Sequence, residues 1–148
     1  MHQNKGMLLQ KEHGCRLSAG ERFRNQAQVR NTMAELLTVG VDVGGTKIET
    51  ALINQQGKIL ASCRSASGSG MDVDQWVAGV KGAIAELCAD VADEEIGAIG
   101  VGFAGQIDPA TGAVKASPNI GWSDVPVRAR LQDAMNKPVT VVNDVQSA

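Results

Sequence analysis

Tyrosine is missing from this sequence, and two tryptophans with two phenylalanines complete its aromatic complement. So few rings argue against a surface that stacks nucleobases one after another. Cysteine is scarce as well. Cys15, Cys63 and Cys88 are odd in number and widely spaced, with no CxxC pair. A disulfide scaffold or a closed zinc site is not expected from them, and a reducing cytoplasm is the expected compartment. No apolar run reaches the roughly 18 residues of a membrane helix, so no membrane partner is expected. Both histidines, His2 and His13, precede the patterned part of the chain. A Ser-His-Asp or Cys-His mechanism would have no base there. What the chain does have is glycine, seventeen in 148 residues, which suits tight turns and close backbone approaches. With 43% hydrophobic and 20% charged residues, it is too apolar for a disordered chain and too mixed for a membrane protein. Its length fits one ordinary domain.

Charge divides the chain in two. Residues 1–32 carry a net +4, and the remainder carries a net −6. The first segment has no sustained apolar period with which to bury itself. A basic arm for nucleic acid is one reading of it. The plainer reading, adopted here, is a disordered leader or sequence upstream of a start at Met33, with no nucleic-acid partner.

From Leu37 the pattern changes. Thr38–Val43 and Ile48–Asn54 read as strands joined by Gly44-Gly45-Thr46-Lys47, and a turn at Gln55–Lys58 leads to a third strand, Ile59–Arg64. Val73, Trp76, Val77, Val80, Ile84, Leu87, Cys88 and Val91 recur at helical steps behind a candidate N-cap, Asp72. Ile96–Phe103 reads as a strand buried on both faces, and Ala104–Asn119 as a loop or hairpin. Asp124 and Pro126 should open a second helix, which must stop by Pro138. Val139–Val142 is a last strand, ending at Asn143-Asp144. The order βββ-α-β-α-β predicts an α/β fold: a mixed sheet with an antiparallel meander first and parallel strands afterwards. Sheets of this kind bind ligands beyond the carboxyl ends of their strands, where both Asp42–Lys47 and Asn143-Asp144 fall.

The first of those loops carries the strongest signal. Two glycines after a buried strand let N–H groups form an anion nest, Thr46 adds a hydroxyl, and Lys47 adds a point charge suited to phosphate. Asp42 offers the oxygen ligand that Mg2+ prefers, directly or through water. A simple hairpin turn is the competing reading. The loop is not a Walker motif, because Thr46-Lys47 stand in the wrong order. Gly100-Val-Gly102-Phe-Ala-Gly105 spells GxGxxG, with Asp124 nineteen residues beyond. Turn chemistry follows it where a dinucleotide site needs a helix, so close approach by a neighbour or ligand is the better reading. Asp144, ending an apolar strand, suits a general base toward a hydroxyl, with a helix cap as the alternative. Ser117–Trp122 offers an amide and an indole for gripping a polyol, or an ordinary loop.

Val39-Gly40-Val41-Asp42-Val43-Gly44-Gly45-Thr46-Lys47-Ile48 resembles the ROK family of sugar kinases, in the actin/hexokinase/Hsp70 superfamily. The likeness continues through Gly100–Gly105, Ser117-Pro118-Asn119 and Val141-Val142-Asn143-Asp144 and covers nearly all of residues 37–148. It implies an RNase H-like lobe, here residues 33–148, closing on a second lobe around ATP and a hexose. By that likeness Gly44, Gly45, Thr46 and Lys47 face the ATP phosphates, with Asp42 near Mg2+. Gly105, Asn119 and Asn143 line the sugar pocket, and Asp144 takes the proton of the attacking hydroxyl. Ala104 stands where family members often place proline. The second phosphate loop, the adenosine pocket and the family's Cys/His zinc cluster would belong to the second lobe, outside these 148 residues. The expectation is therefore the front part of a cytoplasmic, homodimeric glucokinase-like enzyme, inactive by itself. A sugar-responsive transcriptional regulator of the same family and a non-functional remnant are the alternatives.

Overall fold

The computed structural model describes residues 36–66 and 70–144. Readings of residues 1–32 therefore lie outside the described residues. Strands β1 (Leu37–Val43), β2 (Lys47–Ile53) and β3 (Ile59–Ala66) form the expected meander. Helix α1 (Val73–Leu87) follows, then a 3-10 turn at Asp93–Glu95 and strand β4 (Ile96–Phe103). The short strands β5 (Gln106–Ile107), β6 (Val114–Ser117) and β7 (Trp122–Val125) precede helix α2 (Val127–Met135) and strand β8 (Val139–Asn143).

The main sheet has five strands in the order β3-β2-β1-β4-β8. β1 and β4 are parallel, as are β4 and β8, because a helical crossover precedes each added strand. Alternation along these strands decides what each face does. Val39, Val41 and Val43 point the same way as Ile99, Val101 and Phe103 and as Val139 and Val141, and all are buried. α1 packs over β2 and β3, and α2 packs over β8, closing that face. Gly40, Asp42, Gly100, Gly102, Thr140 and Val142 belong to the opposite face. β4 is thus less uniformly buried than its apolar sequence predicts: residues such as Gly100 and Gly102 are only half-buried.

α1 starts where its sequence says it should. Asp72 accepts from the Gln75 N–H at 2.9 Å while the Gln75 side chain accepts from the Asp72 N–H, a complete capping box. The start of α2 corrects an expectation. Asp124 does not open it but lies in β7 with a left-handed φ of 53°, its carboxylate 3.2 Å from the Lys115 ammonium. The helix begins at Val127, behind Pro126 and with no side-chain cap. Proline at the helix entrance stops the turn from extending backward, which leaves Asp124 to the strand. The far end stops at Met135, before Pro138, with Asn136 left-handed at φ 52°.

The segment read as a loop or hairpin is a second, three-stranded antiparallel sheet, β5-β6-β7. An aromatic cluster joins it to the rest. The Trp122 ring stacks on Phe103 at 5.7 Å and meets Trp76 edge-on at 5.8 Å. Its indole N–H donates to the Met71 carbonyl at 2.9 Å.

Candidate functional site

The carboxyl ends of β1, β4 and β8 lie side by side, so the Gly44–Lys47 turn, the Ala104–Gly105 turn and Asp144 share one edge of the sheet. Two backbone bonds seal the junction: the Ala104 N–H donates to the Val43 carbonyl at 3.2 Å, and the Asp144 N–H donates to the Phe103 carbonyl at 3.1 Å. Asp42, Gly102, Val142 and Asp144 line a common cleft of about 450 Å3, together with Gly40 and Glu49. Asp42 and Asp144 are both exposed to solvent there.

The Gly44–Lys47 loop is a tight hairpin turn. The Gly44 N–H donates to the Lys47 carbonyl at 2.9 Å. A Cβ on Gly44 would lie 3.2 Å from that same oxygen, so crowding, not a left-handed φ, selects glycine. Lys47 opens β2 with its ammonium 3.5 Å from Glu49 Oε1. Arg64, across the strand pair, donates to the same carboxylate oxygen through Nε at 2.8 Å and also through Nη2. Hydrogen bonding and charge from Arg64, then the charge of Lys47, hold the Glu49 carboxyl below its ordinary range. This ion cluster beside the glycine loop is not apparent from the loop motif. The signal was the meander register, which sets Glu49 opposite Arg64.

The three residues expected around a sugar come from separate elements. The Asn143 side-chain amide donates to the Gly105 carbonyl, tying the end of β8 to the turn after β4. Asn119 lies in the turn after β6, close enough to the glycine loop that a Cβ on Gly45 would stand 3.4 Å from Asn119 Cβ. That turn is closed by the Ile120 and Gly121 N–H groups, which donate to the Ser117 carbonyl at 3.2 and 2.8 Å. Asp42, Gly44, Gly45, Thr46, Lys47, Gly105, Asn119, Asn143 and Asp144 therefore gather at one edge of the fold.

Two other candidates fall away. Trp122 is 8% exposed and its N–H is bonded to Met71, so the indole belongs to the core and not to a polyol grip. Gly100–Gly105 runs along β4 and into the β5 turn with no helix following, so it lacks the geometry of a dinucleotide loop. Among the described residues, no group of three or more His, Cys, Asp or Glu side chains is placed to hold a metal by itself. A Mg2+ ion needs fewer protein ligands than that. It commonly takes one or two carboxylates and completes its shell with water and phosphate oxygens, a mode that the exposed Asp42 carboxylate fits. Among these residues, too, no helix is long and apolar enough to cross a membrane.

Known proteins match both the fold and the sequence. A glucokinase from Streptomyces coelicolor is 32% identical over 114 residues, 76% of this chain and 34% of its own length. A xylose repressor from Caldicellulosiruptor bescii is 26% identical over 145 residues, 97% of this chain and 35% of its own. The crystal structure of a ROK glucokinase from Streptomyces griseus, in complex with glucose and AMPPNP, superposes with a TM-score of 0.66 at 31% identity, over 73% of this chain and 33% of that one. The chain thus spans about a third of the length of the relatives it matches. Its mixed five-stranded sheet with covering helices is the architecture of the actin/hexokinase-like sugar kinases. The sequence profile of the ROK family matches residues 38–148, and the chain belongs to that family.

Proposed function

We propose that the protein carrying this chain transfers the γ-phosphoryl group of ATP to a hydroxyl of a hexose, with glucose as the first candidate. One observation carries the reading: an anion-suited glycine loop, the rim residues Gly105, Asn119 and Asn143 and the Asp144 carboxylate gather at one edge of the sheet, where Asp42 and Asp144 line a common cleft. Phosphoryl transfer asks mainly for positioning and charge stabilisation, with one residue to orient the nucleophile. In this reading Asp144 accepts the proton of the sugar hydroxyl as its oxygen attacks the γ-phosphorus. The bond to the β–γ bridging oxygen breaks, and ADP leaves. Gly105, Asn119 and Asn143 hold the sugar. The Gly44 N–H is engaged within its own turn, so the phosphates rest on the Gly45 and Thr46 end of the loop and on Lys47. Lys47 then exchanges Glu49 for phosphate, and Arg64 keeps Glu49 neutralised. Asp42 would hold Mg2+ through its carboxylate or its waters, and the ion would supply charge neutralisation at the phosphates. The similarity to glucokinases and the glucose and AMPPNP in the Streptomyces griseus complex support this substrate pair. The cytoplasm and a homodimer are the proposed setting of the whole protein.

The test is Asp144→Asn in the full-length protein, read by ADP release across hexoses. Turnover should fall by at least roughly 100-fold while sugar binding survives. Near-native turnover in this variant would remove Asp144 from the mechanism.

A second reading, a sugar-responsive transcriptional regulator, has its own support. The xylose repressor matches 97% of the chain, against 76% for the glucokinase. Binding of the intact protein to DNA, with an affinity that falls steeply with salt and responds to sugar, would favour this reading. Sugar-dependent ADP release without DNA binding would favour the kinase.

A further inference from the structure

We propose that Ser117 is a positioning residue of the sugar rim, an assignment that rests on reading the cleft as a hexose site. The three candidate sugar-holding residues sit on three different elements, and a polyol is recognised only if their polar groups keep fixed mutual positions. Ser117 links the two loops that carry Gly105 and Asn119. It is 1% exposed, at the end of β6. Its hydroxyl donates to the Ala104 carbonyl at 2.8 Å, immediately before Gly105. Its own carbonyl accepts from the Ile120 and Gly121 N–H groups, closing the turn that carries Asn119. The third residue is tied in through Gly105, whose carbonyl accepts from the Asn143 amide.

The packing around this link leaves no slack. A Cβ on Gly105 would lie 2.5 Å from the Ala116 carbonyl oxygen and 3.1 Å from Ser117 Cβ. The Ala104–Gly105 turn is therefore pressed onto the β6 backbone, with the Ser117 hydroxyl bond on one side and the Asn143 amide on the other. Removing the hydroxyl leaves the Ala104 carbonyl without its buried donor, and the turn gains freedom to shift away from β6. Asn119 and Asn143 then lose their common reference, although neither has been altered. Ser117 acts through these neighbours and not by contact with the sugar. The glycine loop touches the Asn119 turn at Gly45 but is closed by its own Gly44–Lys47 bond.

The experiment compares wild type and Ser117→Ala in the full-length protein. Initial rates are measured with ATP and D-glucose, with D-mannose and N-acetylmannosamine as alternative acceptors. We expect the KM for the sugar to rise about tenfold, while the KM for ATP and kcat stay within about twofold. Ser117→Cys, nearly isosteric with a weaker donor, should raise the sugar KM in the same direction by less. It also carries the comparison if Ser117→Ala does not fold. An unchanged sugar KM, or equal losses toward sugar and ATP, overturns the assignment and reduces Ser117 to a packing residue. A wild-type protein that phosphorylates none of these sugars overturns the kinase reading first, and this assignment with it.

Discussion

Gly105 and Gly82 make opposite demands on the space around them. A methyl group on Gly105 would collide with a backbone oxygen of β6, which cannot swing away as a side chain can. Gly105→Ala should destabilise the fold by about 1–3 kcal/mol. Gly82 lies exposed inside α1, with nothing within 4 Å of a Cβ placed there. Gly82→Ala should stabilise by about 0.5–1 kcal/mol, since the unfolded chain loses freedom and the helix loses none. Urea titration of the two variants reads both signs in one experiment, and equal effects would show that the crowding at Gly105 is relieved by a backbone shift. Trp122 teaches the same lesson. As letters, its loop suits a sugar equally well, and only the ring contacts with Phe103 and Trp76 assign the indole to the core.

Helix α1 was legible because each of its signals is local. The cap and the apolar stripe lie within one stretch of sequence, and the capping box needs only Asp72 and Gln75, but the stripe runs on to Val91 while the helix stops at Leu87. Helix α2 was less so. Only Val127 and Leu131 are fully buried along it, and its N-terminus is set by a strand that pairs with β6. The Asp124-Pro126 signal therefore named the right neighbourhood and the wrong first residue. Cys88, the C-cap of α1, is 7% exposed, and burial pushes its thiol up to about 11 from an ordinary 9.0. Because the folded value is the higher one, the unfolded chain loses this proton first as pH rises. The stability held in the neutral thiol is complete below about pH 9 and is lost as pH rises toward about 11. With no tyrosine to titrate in that window, Cys88→Ala should flatten the alkaline limb of a stability profile measured from pH 8 to 11. An unchanged limb would assign the loss to other groups.

At the scale of the whole molecule, the five-stranded sheet and the small β5-β6-β7 sheet are joined through an aromatic junction, through the Ser117 hydroxyl and through the Asn143 amide. Trp76 and Trp122, the only tryptophans in the chain, both lie in that junction, so intrinsic fluorescence reports on the contact between the two sheets. If the junction is part of one cooperative unit, the fluorescence transition should coincide with loss of far-UV circular dichroism during thermal unfolding. A fluorescence change at lower temperature would mean that the small sheet detaches first and takes the Asn119 turn with it.

The order of elements along the chain, the meander, the parallel pairing of the later strands and the identity of the loops at the carboxyl ends could be read from the amino acids, because period, turn chemistry and helix capping act over a few residues; the order of strands across the sheet could not. Contacts across long stretches of chain could not. The Glu49 cluster depends on register, the burial of Trp122 on three elements meeting, and the link from Ser117 to Ala104 on a hydrogen bond across thirteen positions. These are contacts between neighbours in space that are distant along the chain, and they exist only once the sheet has brought its carboxyl ends to one edge.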